Sequence, residues 1–206
     1  RDYILGMKKR KSTLLINIEY AVAYVVVAIL KALPLKAAYA FGLAVSKLVF
    51  LLDSRHRRRA IRHILHSGIV DTKKEAAELA GRSMAHMSRT AVEIIKIGPI
   101  LNETNAREMI ELRMKQEYLD KYFTKGRSST AIVVTAHLGN WELAGVVYSL
   151  FAGHHLSSIM RPLNNPKVGE LVYTHRQNKN HTTYPKDING LKHLLKALKN
   201  GESVAI

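Results

Sequence analysis

His137 and Glu142 stand five positions apart in the segment AIVVTAHLGNWELAGVVYSLF, residues 131–151. A neutral imidazole takes a proton from a hydroxyl, and a carboxylate on its other nitrogen fixes the tautomer and stabilises the imidazolium that forms. Spacing alone leaves the pair open, since a His and a Glu this close also occur incidentally. Position says more. The β-branched run Ile132–Thr135 predicts a strand, Gly139-Asn140 a loop, and Trp141 onward a helix with Asn140 as N-cap and Glu142 in its first turn. In open parallel α/β sheets ligands bind at such joints, beyond the strands' carboxyl ends.

Rival chemistries find less support. One His and one Glu are too few for zinc, and no H-x-x-x-H or H-E-x-x-H spacing supplies more. His154 and His155 are neighbours, but adjacent residues on a strand face opposite ways, so no metal site is expected. Neither a G-x-S-x-G elbow nor a Gly-rich phosphate loop is present, and no bound cofactor is expected. Arg161 is the second candidate. It follows a strand predicted at Leu156–Met160 and expected beside the His137 strand, so its guanidinium would emerge at the same sheet edge to bind a phosphate or orient an acyl carbonyl. The simpler alternative is a surface arginine before a proline, in a chain with 32 Lys and Arg residues.

The elements that must place these groups follow from periodicity. Lys8-Lys9-Arg10-Lys11 precedes an apolar run from Leu14 to Leu33, and after Pro34 a second run, Ala37 to Leu52, ends at Arg55-His56-Arg57-Arg58-Arg59. The first is long enough to span a bilayer or lie in its interface, though Asn17 and Glu19 weaken the spanning reading. Basic flanks on both sides favour a membrane anchor, as a hairpin or as two helices in one leaflet, over two buried core helices. Ser54–Ser67 predicts a short basic helix closed by Gly68. Thr72 and Glu75 make a capping box, and Ala76, Leu79, Ala80, Met84, Met87, Ala91, Ile94 and Ile95 recur at helical spacing until Gly98-Pro99, the methionines reading as core filler. MIELRM, residues 109–114, alternates like a strand. Gln116–Thr124 reads as a helix ended by Gly126, Asn165-Pro166 opens another toward Asn178, a Thr-Tyr stretch follows, and Leu191–Leu198 is a basic amphipathic helix ended by Gly201.

Alternation of strand and helix from about residue 108 predicts an α/β fold with a mostly parallel central sheet and flanking helices. Residues 1–53 are expected to form an N-terminal helical membrane anchor and 54–206 the catalytic domain. The chain opens at Arg1 and stops at Ile206 inside the strand-like SVAI, and is expected to be a fragment truncated at its C-terminus. At 47% apolar residues it has material for one α/β core. The absence of cysteine excludes disulfides and thiolate chemistry. A formal charge of +16 predicts acidic partners: nucleic acid, anionic headgroups, phosphorylated substrates or an acidic carrier protein. Aromatics are only 7% and none interrupts the basic runs 8–11 or 55–59, which argues against base stacking and hence against nucleic acid.

His137-Leu138-Gly139-Asn140-Trp141-Glu142 resembles the H-[F/L/S]-G-N-W-[E/D] block of the bacterial late acyltransferases of lipid A biosynthesis, lauroyl and myristoyl transferases within the wider H-x4-D/E glycerolipid acyltransferase superfamily. Arg161-Pro162-Leu163-Asn164-Asn165-Pro166 is similar to that family's R-P-x-[D/N]-N-P segment, and Leu194–Glu202 to its L-L-K-A-L-x-x-G-E segment. The resemblance covers nearly the whole chain. It implies a glycerolipid acyltransferase-like fold and an O-acyltransferase anchored on the cytoplasmic face of the bacterial inner membrane. His137 would deprotonate an acceptor hydroxyl and Glu142 would orient it. Arg161, with Asn140 and Arg176, would bind substrate or phosphate. The donor implied is acyl carrier protein or coenzyme A thioester, and the acceptor a phosphorylated glycolipid, the lipid A precursor. Both the acidic carrier and an anionic membrane surface suit the positive charge. One departure concerns the acceptor. Where the family has R-x-R-x-G, this chain reads Thr174-His175-Arg176-Gln177-Asn178-Lys179-Asn180, with only Arg176 matched, so a mannosylated phosphoinositide or a lysophospholipid is the alternative acceptor. A basic membrane-binding or nucleic-acid-binding protein without catalysis is the alternative of another class.

Overall fold

Two apolar runs that meet at Leu33-Pro34 fold as α1 (Thr13–Ala32), N-capped by the Ser12 hydroxyl, and α2 (Leu35–Leu52). Each is long and apolar enough to cross a membrane. Both leave much of that surface uncovered: Leu14, Val22, Leu51 and Leu52 are 70%, 60%, 66% and 74% exposed. The computed structural model describes residues 12–124, 129–176 and 180–206, the side chains of 175 and 176 apart. The basic run 8–11 and the predicted helix end at Gly126 lie outside the described residues, as does the side chain of Arg176.

The inner faces of α1 and α2 rest on α4 (Lys73–Lys96), whose capping box forms as expected: the Thr72 hydroxyl accepts from Glu75 N at 3.2 Å and the Glu75 carboxylate accepts from Thr72 N at 3.0 Å. Leu30, Ala38 and Val92 make one core cluster. A Cβ on Gly42 of α2 would stand 2.8 Å from Val92 Cγ2, so only glycine permits this approach of the two helices. Lys96 Nζ donates to Lys31 O and Leu33 O at 2.8 and 2.7 Å, closing the last turn of α1. Between α2 and α4 comes α3 (Ser54–His66), N-capped by Asp53, with Gly68 beyond it at φ +69°.

The polar interruptions in α1 have a use. Asn165 Nδ2 donates to Ile16 O at 2.9 Å and to Glu19 Oε2 at 2.8 Å, and Lys167 Nζ donates to Asn17 Oδ1 at 2.8 Å. Asn17 and Glu19 thereby hold the start of α8 (Pro166–Arg176).

A four-stranded parallel sheet occupies the second half of the chain. It comprises β1 (Ile132–Val133), β2 (Leu156–Met160), β3 (His181–Pro185) and β4 (Ser203–Ala205), with α7 (Trp141–Ala152), α8 and α9 (Ile188–Lys199) as crossovers. Ile132 is in register with Val204, and Leu156 with both Ser203 and His181. Leu194 and Ala197 of α9 pack on Val204 to form the second core cluster.

Three expectations need correction. The order is β1-β4-β2-β3, so β4, not β1, lies beside β2. Burial explains this: Ser203 and Val204 are 0% and 1% exposed and fill the centre, while Ile132 is 59% exposed at the edge. MIELRM is not a strand. Asn102 and Asn105 accept each other's backbone N–H groups at 3.1 and 2.8 Å, winding the chain into the short α5 (Ala106–Met109), and an irregular segment then leads to α6 (Gln116–Tyr122). Ile110 and Leu112 are half-buried and Glu111 and Arg113 exposed, so the alternation sets a face, but the segment pairs with no strand of the sheet. Met87, read as core filler, is 48% exposed and lines cavities instead.

Candidate active site

Beyond Val133 the chain enters a loop whose backbone is unusual at two nearby positions. His137 has φ +57° and Gly139 φ +61°. Glycine accepts that conformation freely; for histidine the left-handed region costs about 1 kcal/mol. The side chain is exposed, and backbone in this sparsely populated region is found most often at functional sites. His137 N donates to Thr135 Oγ1 at 3.3 Å, and across from α4 His86 Nε2 lies 3.2 Å from Gly139 O.

Asn140 ends the loop and starts α7. Its Oδ1 accepts from Leu143 N at 3.0 Å, the N-cap bond, and its Nδ2 donates to Glu93 Oε2 at 2.6 Å. Glu93 Oε1 accepts from the Tyr39 hydroxyl at 3.1 Å and pairs with Arg89 Nε at 3.7 Å. Tyr39 of α2 and Asn140 of the loop therefore share one carboxylate. The carboxamide of Asn140, a candidate substrate contact, is occupied at both ends within the fold.

Capping puts Glu142 in the first turn of α7, half-buried, where Trp141 Nε1 donates to its Oε1 at 3.1 Å. The Trp141 and His137 rings are 5.2 Å apart, centre to centre. His137, Trp141 and Glu142 line one small cavity of about 150 Å³ over the sheet, together with Ser158 of β2 and His181 and Thr183 of β3. Trp141 and Glu142 also border a larger, apolar cavity of about 340 Å³, walled by Ala23, Val26, Val27 and Leu30 of α1, by Ile94 of α4 and by Leu171 of α8. One carboxylate thus borders both cavities, the one beside His137 carrying the more polar groups.

Residue reading missed part of this wall. His181, 7% exposed, has Nε2 2.9 Å from Ser158 Oγ, which is 3.0 Å from Thr183 Oγ1. The signal was present as inward alternation in HTTYP, with His181 and Thr183 buried and Thr182 and Tyr184 less so. Glu93 was missed because its partner lies 47 positions away.

Arg161 stands apart. It is exposed just past the carboxyl end of β2, at the sheet edge that carries His137, but β4 lies between their strands, whose axes are about 10 Å apart. Arg176 is the last residue of α8. Among the described residues no three His, Asp or Glu side chains gather to hold a metal ion. At the opposite, amino end of the sheet, Ser203 Oγ meets Tyr148 Oη at 2.8 Å, His154 Nε2 at 2.6 Å and Ala131 N at 3.0 Å. Burial there lowers the His154 pKa and raises that of Tyr148.

A parallel sheet with polar groups on the loops beyond its strands' carboxyl ends, and an apolar cavity against them, defines an α/β protein with a binding site of the usual placement for that class. The model of the bacterial lipid A biosynthesis acyltransferase family matches residues 7–206, and the chain belongs to that family. It is accordingly an acyltransferase. No curated protein matches the chain.

Proposed function

We propose that the protein moves a fatty acyl group from a thioester, on acyl carrier protein or coenzyme A, to a hydroxyl of a lipid A precursor. The observation that carries the reading is the shared carboxylate: Glu142 lines both the cavity of His137, whose wall includes Thr135, Ser158, His181 and Thr183, and the more apolar cavity behind Trp141. The acyl chain lies in the apolar cavity with its thioester carbonyl at the Glu142 boundary, and the acceptor hydroxyl enters from the polar side. His137 takes the hydroxyl proton and the oxygen attacks the carbonyl. As the tetrahedral intermediate collapses the C–S bond breaks, and the imidazolium returns its proton to the leaving thiolate. No covalent enzyme intermediate is needed. Glu142 orients the imidazole and stabilises its charged form, the loop drawing them together as substrate binds. Arg161 binds phosphate at the sheet edge.

The reaction takes place at the cytoplasmic face of the bacterial inner membrane, with the exposed faces of α1 and α2 as the anchor. The basic surface draws in the acidic carrier and the phosphorylated acceptor. Full-length protein in detergent, supplied with acyl carrier protein thioester and lipid A precursor, is expected to transfer about 10²–10⁴-fold faster than its His137→Ala variant. Equal rates would overturn the mechanism. Coenzyme A thioester in place of the carrier separates the two donors, and mass spectrometry of the product identifies the acceptor.

A further inference from the structure

Helix α3 reads SRHRRRAIRHILH, five arginines and three histidines with no acidic residue. The arginines divide by position. Arg57, half-buried, donates from Nη1 to Phe50 O at 2.7 Å and Leu51 O at 2.6 Å, so it caps carbonyls at the end of α2. Its guanidinium lies 5.8 Å from the centre of the Phe50 ring. Asp53 accepts from His56 N at 3.0 Å, and with Arg57 it fixes the corner where α2 gives way to α3. Arg58 folds back onto Ser54 O at 3.2 Å.

Arg55, Arg59 and Arg62 do something else. At 3.6 residues per turn they fall, with His66, within about 60° of arc, and all four are exposed. The opposite face carries Ala60 and Ile64, which border a cavity against Ala80 and Met84 of α4. The cationic stripe thus faces away from the protein. In the turn of α2 just before it, Leu48, Leu51 and Leu52 are 55%, 66% and 74% exposed. An exposed apolar helix end that turns a fixed corner into a one-sided row of guanidinium groups matches the order of environments across a bilayer surface, hydrocarbon first and headgroup phosphate next. An acidic protein would satisfy the arginines and leave the leucines in water.

We propose that the Arg55–Arg59–Arg62 face of α3 binds the phosphates of anionic membrane lipids, laying α3 along the bilayer surface while the end of α2 enters the apolar layer. This rests on the membrane anchoring proposed above and adds a lipid preference to it.

The test is co-sedimentation of the full-length protein with phosphatidylcholine vesicles, with and without phosphatidylglycerol. Wild type is expected to partition more tightly onto the anionic vesicles, with the excess falling as salt rises. An R55Q/R59Q/R62Q variant should lose that excess, about fivefold per charge and on the order of a hundredfold in all, while transfer in detergent micelles stays at the wild-type rate. Lysine at the three positions should restore the binding, because the attraction is mainly coulombic. Equal partition of wild type and the glutamine variant onto anionic vesicles overturns the proposal. So does unchanged partition with a raised KM for the acyl carrier protein thioester, which assigns the stripe to the donor protein. Wild type that binds neutral and anionic vesicles equally defeats the stripe alone, and wild type that binds neither defeats the anchoring as well.

Discussion

Both ends of the sheet hold a histidine near hydroxyl groups, and they treat it in opposite ways. At the amino ends of the strands, His154, Tyr148 and Ala131 N converge on Ser203 Oγ, a side chain 0% exposed. Bonds among buried groups of this kind rigidify a fold. At the carboxyl ends, His137 sits exposed on a backbone with φ +57°, beside a cavity. The difference separates polar groups buried within the fold from a polar group left open to solvent beside a cavity.

The sharpest way to break that contrast is a pair of substitutions, one at each end. Glu142→Gln should lower kcat by about 10²–10³-fold, because a neutral amide supports the imidazolium poorly, while the melting temperature stays near wild type. Ser203→Ala should do the reverse. Three partners lose their common oxygen, so it should cost about 1–3 kcal/mol in denaturant unfolding and leave transfer kinetics unchanged. Results exchanged between the two variants would mean the ends had been assigned the wrong way round.

A finer test concerns what holds the loop. Glu93 accepts from both Asn140 and Tyr39. Glu93→Gln turns one acceptor into a donor facing a donor, so the N-cap of α7 should loosen. About a tenfold fall in kcat with KM unchanged is expected, with Glu93→Asp recovering part of it; an effect on melting temperature alone would make Glu93 a fold residue only. The smallest effect is at His154. Burial lowers its folded-state pKa below the ordinary histidine value of 6.5, so the unfolded chain binds the proton more readily. Stability is then fully present above pH 6.5 and falls as pH drops through and below that value. The melting temperature of His154→Gln should fall less between about pH 7.5 and 5.5 than that of wild type.

Features set within one helical turn were legible in the residues themselves. Thr72 with Glu75 and Asn140 before Trp141 are side-chain caps on nearby backbone, and both formed as read. Strand Leu156–Met160 also appeared with its expected bounds. Sheet order was not legible, because whether β1 or β4 lies against β2 depends on burial that no local pattern states. MIELRM shows the converse error: alternation predicts a strand only where another strand is there to pair. Within the site, His137, Asn140 and Glu142 fell in one short segment and could be read together. Glu93, Ser158 and His181 reach the same place from other elements, and only the packed chain brings them there.

The hold of Asn17 and Glu19 on Asn165 and Lys167 bears on how the protein can be handled. Removing an apolar N-terminal helix is a common way to obtain a soluble catalytic fragment. Here α1 supplies part of the wall of the apolar cavity and pins the loop after Arg161, so such a fragment would lose a side of that cavity along with its greasy exterior. Replacement of α1 by an unrelated hydrophobic helix would fail for the same reason, and the useful cut in this molecule lies elsewhere.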